Sequence, residues 1–592
     1  MVLKALTDLY YSLMKNGEIS RPGWAKVKIG LLFHLDEYGT LIKIENNVEE
    51  IEQNGKTVAL TKSFTLPLPE KRGGKYFTSN FLYDNGEYVL GILQHHGSDN
   101  SVSPENAYAR HKCFVEFHHK LLDNVNNETA KAILFFLDKW TPEQFDIDEM
   151  FEPFKEALVK GANIAFCVNG QLAHEDEAIA AAWQDHYDNN TGKPIRCMIT
   201  GENDTLALIH PAIKGVKDAQ ATGANLVSFN AESFCSYGHS QGENAPIGKK
   251  TAFAYTTALN YLISDFQNVS YIGDTAVLCW SEGHKKQYEN LTSSALFGKD
   301  PLDEIKKEDV RDIVKKLAKG EPCPEYNLDP DTTFYVLGIA PNASRLSVRF
   351  FYRNSFGRFM KNVSDHYERL KIVGCNPYIP LWALLKETIN LNTRDKKASP
   401  LLAGDVTRAI LEGTNYPATL LESTMVRIRA ERNITPGRAA IIKAYYTKNQ
   451  NPRFPKEVLT VSLNETSTNI PYNIGRLFAV YEMVQKEANQ NIQVTIKDKY
   501  FNSVSATPSH IIPLITNLYN KHLRKIKEDR RAEYEFEVEY LMGTLGDKLP
   551  TRLTLPEQGA FQLGYYHQKQ KFFDENGEDN SNKKYKKEAK GE

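Results

Sequence analysis

The sequence predicts an α+β protein, with mixed, β-rich N-terminal and middle regions followed by a C-terminal α-helical bundle. Three observations carry that reading. Short apolar runs broken by turn residues crowd the first hundred positions. Apolar stripes at three-and-four spacing recur through Leu477, Val480, Tyr481 and Val484 and again through Ile512, Ile515, Tyr519, Leu523 and Ile526. Thr554 with Glu557 three residues on forms a capping box, and Pro556 in the first turn announces a last helix through Phe561 and Tyr565.

Taken in order, Leu3, Leu6, Leu9, Tyr10 and Leu13 give an amphipathic helix over 3–15, stopped near Gly17. Strands are predicted over 27–35 and 38–44 around a turn at Asp36-Glu37, with further strands at 57–60 and 88–92. Residues 105–140 turn helical. A mixed segment, 161–283, holds a helix over 252–263 and a strand-like run over 273–280. The charged stretch 299–319 reads as a solvated helix and connector, and Pro322 and Pro324 mark a boundary before a strand at 333–338. Residues 533–540 alternate with period two, which by pattern alone is a strand. The expected divisions are 1–140, 141–330, 331–472, 473–573 and a disordered tail at 574–592, rich in Lys, Asn and Glu.

Composition narrows the class. The chain has 592 residues, enough for several cores, and its 41% hydrophobic and 25% charged content is that of soluble globular protein. No apolar run approaches the roughly 18 residues of a membrane span, and the opening residues lack the sections of a signal peptide, so the cytoplasm is the expected location and no membrane partner is expected. Seven scattered cysteines without a CxxC pair suggest neither a zinc ribbon nor a disulfide framework.

Enzyme signals fail on their chemistry. Gly248-Lys249-Lys250-Thr251 resembles a phosphate-binding loop, but the position that needs the first glycine is Glu243. The pairs His95-His96 and His118-His119 and the cluster His174-Glu175-Asp176-Glu177 lack HExxH geometry, and Asp274 fits a turn as well as a metal ligand. There is no GxSxG elbow. No catalytic residue, metal or cofactor is therefore expected.

Nucleic-acid signals are stronger. A net charge of −2 confines any phosphate-binding surface to local patches. Residues 345–361 carry Arg345, Arg349, Arg353, Arg358 and Lys361 with no acidic residue, and in a strand Arg349, Phe351 and Arg353 share a face. The interleaved aromatics Phe350, Phe351, Tyr352, Phe356 and Phe359 fit either a core or stacking platforms, with the core favoured. Arg427, Arg429, Arg432, Arg438, Lys443 and Lys448 form a second basic set on helices whose apolar stripes leave most of them outward, either a solvated face or a contact with nucleic acid or another subunit. Lys497, Lys499, Lys521, Arg524, Lys525, Lys527, Arg530 and Arg531 give the C-terminal bundle a basic face.

The runs Asn473-Ile474-Gly475-Arg476-Leu477-Phe478-Ala479-Val480, Ser505-Ala506-Thr507-Pro508 and Gly559-Ala560-Phe561-Gln562-Leu563-Gly564-Tyr565-Tyr566-His567-Gln568, with Arg21-Pro22-Gly23-Trp24, resemble the large subunit of the type I-C CRISPR surveillance complex, Cascade, over the length of the chain. The resemblance implies helix for 533–540. It also implies a non-enzymatic subunit that inspects duplex DNA for a protospacer-adjacent motif, aids strand opening and R-loop formation, and helps recruit a helicase-nuclease in antiviral defence. The implied partners are the guide RNA, target double-stranded DNA, repeated backbone subunits, a guide-processing subunit, and a small subunit made from the C-terminal region by an internal start, with Met483, Leu477 or Val480 as candidates. The alternatives are a structural scaffold that binds only guide RNA and subunits, or a nuclease.

On this reading motif sensing is expected at the basic Gly-Gly turn, with Lys71, Arg72 and Lys75 on phosphates and Asn80 or Asn85 at base edges; a plain surface hairpin is the competing reading. Arg345, Arg349, Arg353, Arg358, Lys361, Arg427, Arg429 and Arg432 are expected on nucleic-acid backbone, and the bundle's basic face on the displaced strand. Trp24 is expected to anchor a core, with contact to a partner subunit or the guide's end as the alternative.

Overall fold

The computed structural model describes residues 1–53, 56–70, 77–93, 103–188, 192–300, 305–306, 309–376, 378–390, 392 and 398–575. They form two compact units, one of residues 3–211 with 228–258 and one of 212–227 with 259–592. The seam between the units falls inside a helix, between residues 258 and 259. One apolar core runs through the second unit.

The first unit opens with α1 (Val2–Lys15), as its apolar spacing predicts. β1 (Trp24–Lys28) and β2 (Leu31–Leu35) replace the single expected strand at 27–35. The break lies at Gly30, where a Cβ would press on that of Ala162 at 3.0 Å, so the chain leaves one sheet and enters another. β2 pairs antiparallel with β3 (Leu41–Asn46) after a turn in which the Asp36 carboxylate accepts the N–H groups of Tyr38 and Thr40. β4 (Val48–Gln53) pairs with β5 (Lys56–Thr61), and β6 (Ser63–Pro67) with β1. β7 (Tyr83–Asn85) precedes α2 (Gly86–Val89), a short helix where 88–92 was predicted as a strand. That apolar run is buried on every side, so it carries no periodicity to distinguish the two.

α3 (Pro104–Leu122) and α4 (Glu128–Lys139) follow, then the short α5 (Gln144–Ile147) and α6 (Lys155–Val159). β8 (Asn163–Val168) lies parallel to β2 and completes a sheet of order β3-β2-β8-β7, to which β9 (Gln171–Leu172) adds beside β8. α7 (Glu177–Asp188) closes the core, where Phe81 stacks on Trp183 at 5.6 Å. β10 (Pro194–Arg196) and β11 (Asn203–Thr205) form a hairpin before α8 (Lys249–Ser264).

The second unit is built on an antiparallel sheet, β12 (Val269–Ile272), β13 (Thr275–Ser281), β14 (Thr333–Asn342) and β15 (Arg345–Ser355), in chain order. α9 (Lys286–Phe297), α10 (Val310–Ala318) and α11 (Phe356–Leu370) share its apolar core. α12 (Leu381–Lys386), α13 (Pro400–Glu412), α14 (Ala418–Glu431) and α15 (Pro436–Asn449) continue that core into the bundle of α16 (Ile470–Ala488), α17 (Ile496–Ala506), α18 (Pro508–Leu523), α19 (Glu528–Thr544) and α20 (Leu555–Glu575). α19 confirms helix for 533–540, and α20 reaches Glu575, past the expected start of the tail; residues 576–592 lie outside the described residues.

Candidate nucleic-acid interface

β15 is the edge strand of its sheet, and from Phe350 to Arg353 its side chains alternate between a core face and an outer face. Phe350 and Tyr352 turn inward to join Phe334, Phe356 and Phe359 in the core. On the other face Phe351 stacks against Tyr335 at 6.2 Å, itself stacked on Trp280 at 5.2 Å, and the Arg353 guanidinium lies 5.9 Å from the Tyr335 ring. The aromatics are packing, then, and the arginines remain. Arg349 reaches Asp274 at 3.5 Å, and Lys361 pairs with Asp365 one turn on at 3.1 Å. Arg345 is half-buried where β15 bridges Asn225. Arg353 and Arg358 are exposed and make no ion pair among the described residues.

The second basic set splits by burial. α15 is packed nearly all round, with Ala439, Ala440, Ile441, Ile442 and Ala444 buried, so Arg438 and Lys443 go inward with it, against the expectation that most of these charges face outward. Arg438 bonds Glu431 at 2.7 Å and the carbonyl oxygens of Glu387 and Asn433, and Lys443 donates to the Arg369 carbonyl at 3.1 Å. Arg427 is half-buried beside Glu431 at 3.7 Å. Arg429 and Arg432 stay exposed at the end of α14, Arg432 in the left-handed conformation that terminates the helix.

The structure brings those two arginines to α17. Asn502 donates to the Arg429 carbonyl at 3.0 Å, and Arg429 Nη2 donates to Gln558 at 2.6 Å. The Thr495 backbone N–H, then the charges of Lys497 and Arg432, hold the Asp498 carboxyl below the usual carboxylate range. Arg429, Arg432, Lys497 and Lys499 thus form one basic neighbourhood. Sequence reasoning missed Lys569 nearby, whose amine burial pushes down to about 8 against the opposing charge of Glu482. Its one signal is a lysine four residues after Tyr565 on a helix otherwise buried there.

At the α18–α19 turn Lys521, Arg524, Lys525 and Lys527 are exposed and without an ion pair among the described residues. Arg530 and Arg531 differ: Arg530 bonds Glu533 and lies 3.7 Å from Glu487, and Arg531 bonds Glu535 at 2.9 Å. Their charge is largely answered within α16 and α19.

In the first unit Lys71, Arg72 and Lys75 lie outside the described residues. Asn80 is 7% exposed; its side-chain oxygen accepts the Glu70 N–H at 3.0 Å while its own N–H donates to Asp84. Asn85 caps α2 by accepting from Tyr88. In both residues the side-chain oxygen thus holds backbone. Trp24 is 3% exposed, with its indole N–H on Gln184 at 3.0 Å and the Arg21 guanidinium 4.3 Å above its ring. Gly23 takes φ +84° against the Tyr187 ring, where a side chain would not fit.

Among the described residues no group of three or more His, Cys, Asp or Glu is placed to hold a metal ion, and none of their helices is long and apolar enough to cross a membrane. What the arrangement offers is phosphate binding by uncompensated cations. A family model described as CRISPR-associated protein (Cas_Csd1) matches residues 6–573. No curated protein matches the sequence.

Proposed function

Because the chain belongs to the CRISPR-associated protein (Cas_Csd1) family over residues 6–573, we propose that it is the large subunit of a type I-C Cascade complex acting in antiviral defence. In this role it recognises the protospacer-adjacent motif in duplex DNA, assists strand opening and R-loop formation, and helps recruit the helicase-nuclease. Base pairing with the guide RNA reads the target, and protein reads the short motif and the phosphate backbone. It performs no bond chemistry itself, works in the cytoplasm, and assembles with the guide RNA, repeated backbone subunits, a guide-processing subunit and a small subunit derived from α16–α20.

One structural observation supports the DNA-holding part most directly. In a chain of net charge −2, Arg353 and Arg358 and the group at 521–527 stand exposed with no acidic partner among the described residues. Self-repelling surface charge of this kind gains free energy when it neutralises phosphates and releases their counterions. Motif sensing is assigned to Lys71, Arg72 and Lys75; Asn80 and Asn85 support the backbone that follows.

The test is duplex binding by the assembled complex at several salt concentrations. Arg353→Glu with Arg358→Glu should leave assembly intact, weaken binding of motif-bearing duplex, and flatten the salt slope by roughly one to two. Lys71, Arg72 and Lys75 changed together to alanine should do the same and reduce the preference for motif-bearing over motif-free DNA. Unchanged binding across salt in both would favour the scaffold reading, and metal-dependent cleavage by the purified chain would favour a nuclease.

A further inference from the structure

A cleft of about 430 Å³ opens between α11, α15 and the segment 450–459 that follows α15. Its walls carry Arg369, Lys443 and Lys456 against one carboxylate, Glu368, which is already paired with Lys371 at 2.6 Å. The stacked rings of Tyr446 and Phe454, 3.8 Å apart, form an apolar wall, and Thr447 and Asn451 add polar groups. Volume and lining suit a small ligand with one charged group.

The cations are positioned and only partly answered, Lys443 by the charge of Glu368 and the Arg369 guanidinium by the Tyr416 ring 5.5 Å away. Arg369 donates through Nε to the Tyr416 hydroxyl at 3.3 Å, and that hydroxyl is held by His366 at 2.6 Å. Its two terminal nitrogens have no partner among the described residues. Lys443 is 5% exposed, and its ammonium has one bond, to the Arg369 carbonyl. Burial pushes that amine below its ordinary range. Lys448, the next lysine along α15, donates to the Gly413 carbonyl at 2.5 Å and is lowered by burial and then by the charge of Arg369, with Asp365 opposing and Arg358 adding to it, so positive charge gathers on this side of the unit. Such crowding costs stability unless an anion completes it.

We propose that this cleft binds a phosphate group, with Arg369 as a forked donor, Lys443 at the base and Lys456 at the rim. A guanidinium with both terminal nitrogens open matches two phosphate oxygens, and the charge-assisted bonds restore the buried ammonium. The inference does not depend on the large-subunit reading, since it concerns the purified chain and a simple anion.

The full chain is titrated at matched ionic strength with three probes: a labelled 10-nucleotide RNA bearing a 5′-phosphate, the same RNA with a 5′-hydroxyl, and inorganic phosphate as competitor. Arg369→Gln and Lys456→Gln should each weaken binding at least fivefold, while Lys548→Gln, at an exposed lysine between α19 and α20 outside the basic faces, leaves cleft competition by phosphate unchanged. Lys456 is exposed, so its variant keeps the test valid if Arg369→Gln unfolds. Preference for the 5′-phosphate identifies a strand end, equal binding of both RNAs an internal phosphodiester, and response to inorganic phosphate alone a free anion; each, if lost in both cleft variants, supports the site. Wild-type affinity in both variants for every probe, or no binding by the wild type, overturns it.

Discussion

Gly475 and Gly564 face each other's helices so closely that a Cβ at Gly475 would strike the Phe561 carbonyl oxygen and one at Gly564 the Tyr472 carbonyl oxygen. Gly475→Ala is expected to destabilise the second unit by about 1–3 kcal/mol, as overpacking does, and thermal unfolding would show it. Beside it Arg476 is 1% exposed, held by Glu537 at 2.9 Å, Gln568 at 3.0 Å and the Glu465 carbonyl. The motif was therefore legible as a signature but not as packing, because burial of an arginine depends on partners 61 and 92 residues away. Trp24→Ala should cost about 3–5 kcal/mol, read as a lower melting temperature of the isolated chain. Should that temperature hold while assembly fails, Trp24 is an interface residue instead.

Glu289 supplies a pH-dependent term. Burial raises its carboxyl to about 7, although the Ser281 N–H donates to it at 2.7 Å; His284 lies 3.8 Å away. A folded-state value above the unfolded one means the folded protein holds the proton more tightly. That stability is complete below about 4.5 and is lost as pH rises through about 7, a span worth on the order of 3 kcal/mol. Glu289→Gln should flatten the fall in denaturation midpoint between those pH values; an unaltered slope would contradict the assignment.

At the scale of elements, α19 shows why pattern misled. Its inward positions are Tyr534, Glu537, Val538 and Leu541, spaced three, four and seven apart, but Glu537 is acidic and so hid the stripe. It lies inward because it meets Arg476. α1 was legible because its apolar spacing is unmixed, and β13 and β14 because they are continuous apolar runs of strand length bounded by turn residues at Gly273 and at Pro322 and Pro324. The break between β1 and β2 and the turn into α2 were not, since each depends on a neighbour distant in sequence. The basic surfaces follow the same rule: Arg353 and Arg358 were legible from charge alone, whereas Arg438 and Lys443 vanished into a helix surrounded on all sides.

For the whole molecule the question is whether α16–α20 stands alone. Its length of roughly 100 residues suffices for a core, yet Gly559 abuts Tyr446, Phe454 and Ile442, so separation uncovers an apolar patch on α20. Expression of the unmodified gene should yield a second species of about 11 to 13 kDa, at ~110 Da per residue, that co-purifies with the complex by intact mass. A bundle made alone should be helical by circular dichroism and should self-associate through that patch. Persistent absence of the small species with proteolysis blocked, together with an unfolded isolated bundle, would count against both statements.

The bare backbone contact of α16 with α20 also sets an order of events during synthesis. α17, α18 and α19 emerge and can pair locally while the groove on α16 waits for a helix nearly 90 residues later. At ribosomal speeds of roughly 5–20 residues per second, that wait lasts about 4 to 18 seconds. Throughout it the apolar flank of α16 is open to chaperones or to a neighbouring nascent chain, and a message broken before the codon for Leu555 would release a polypeptide that never closes.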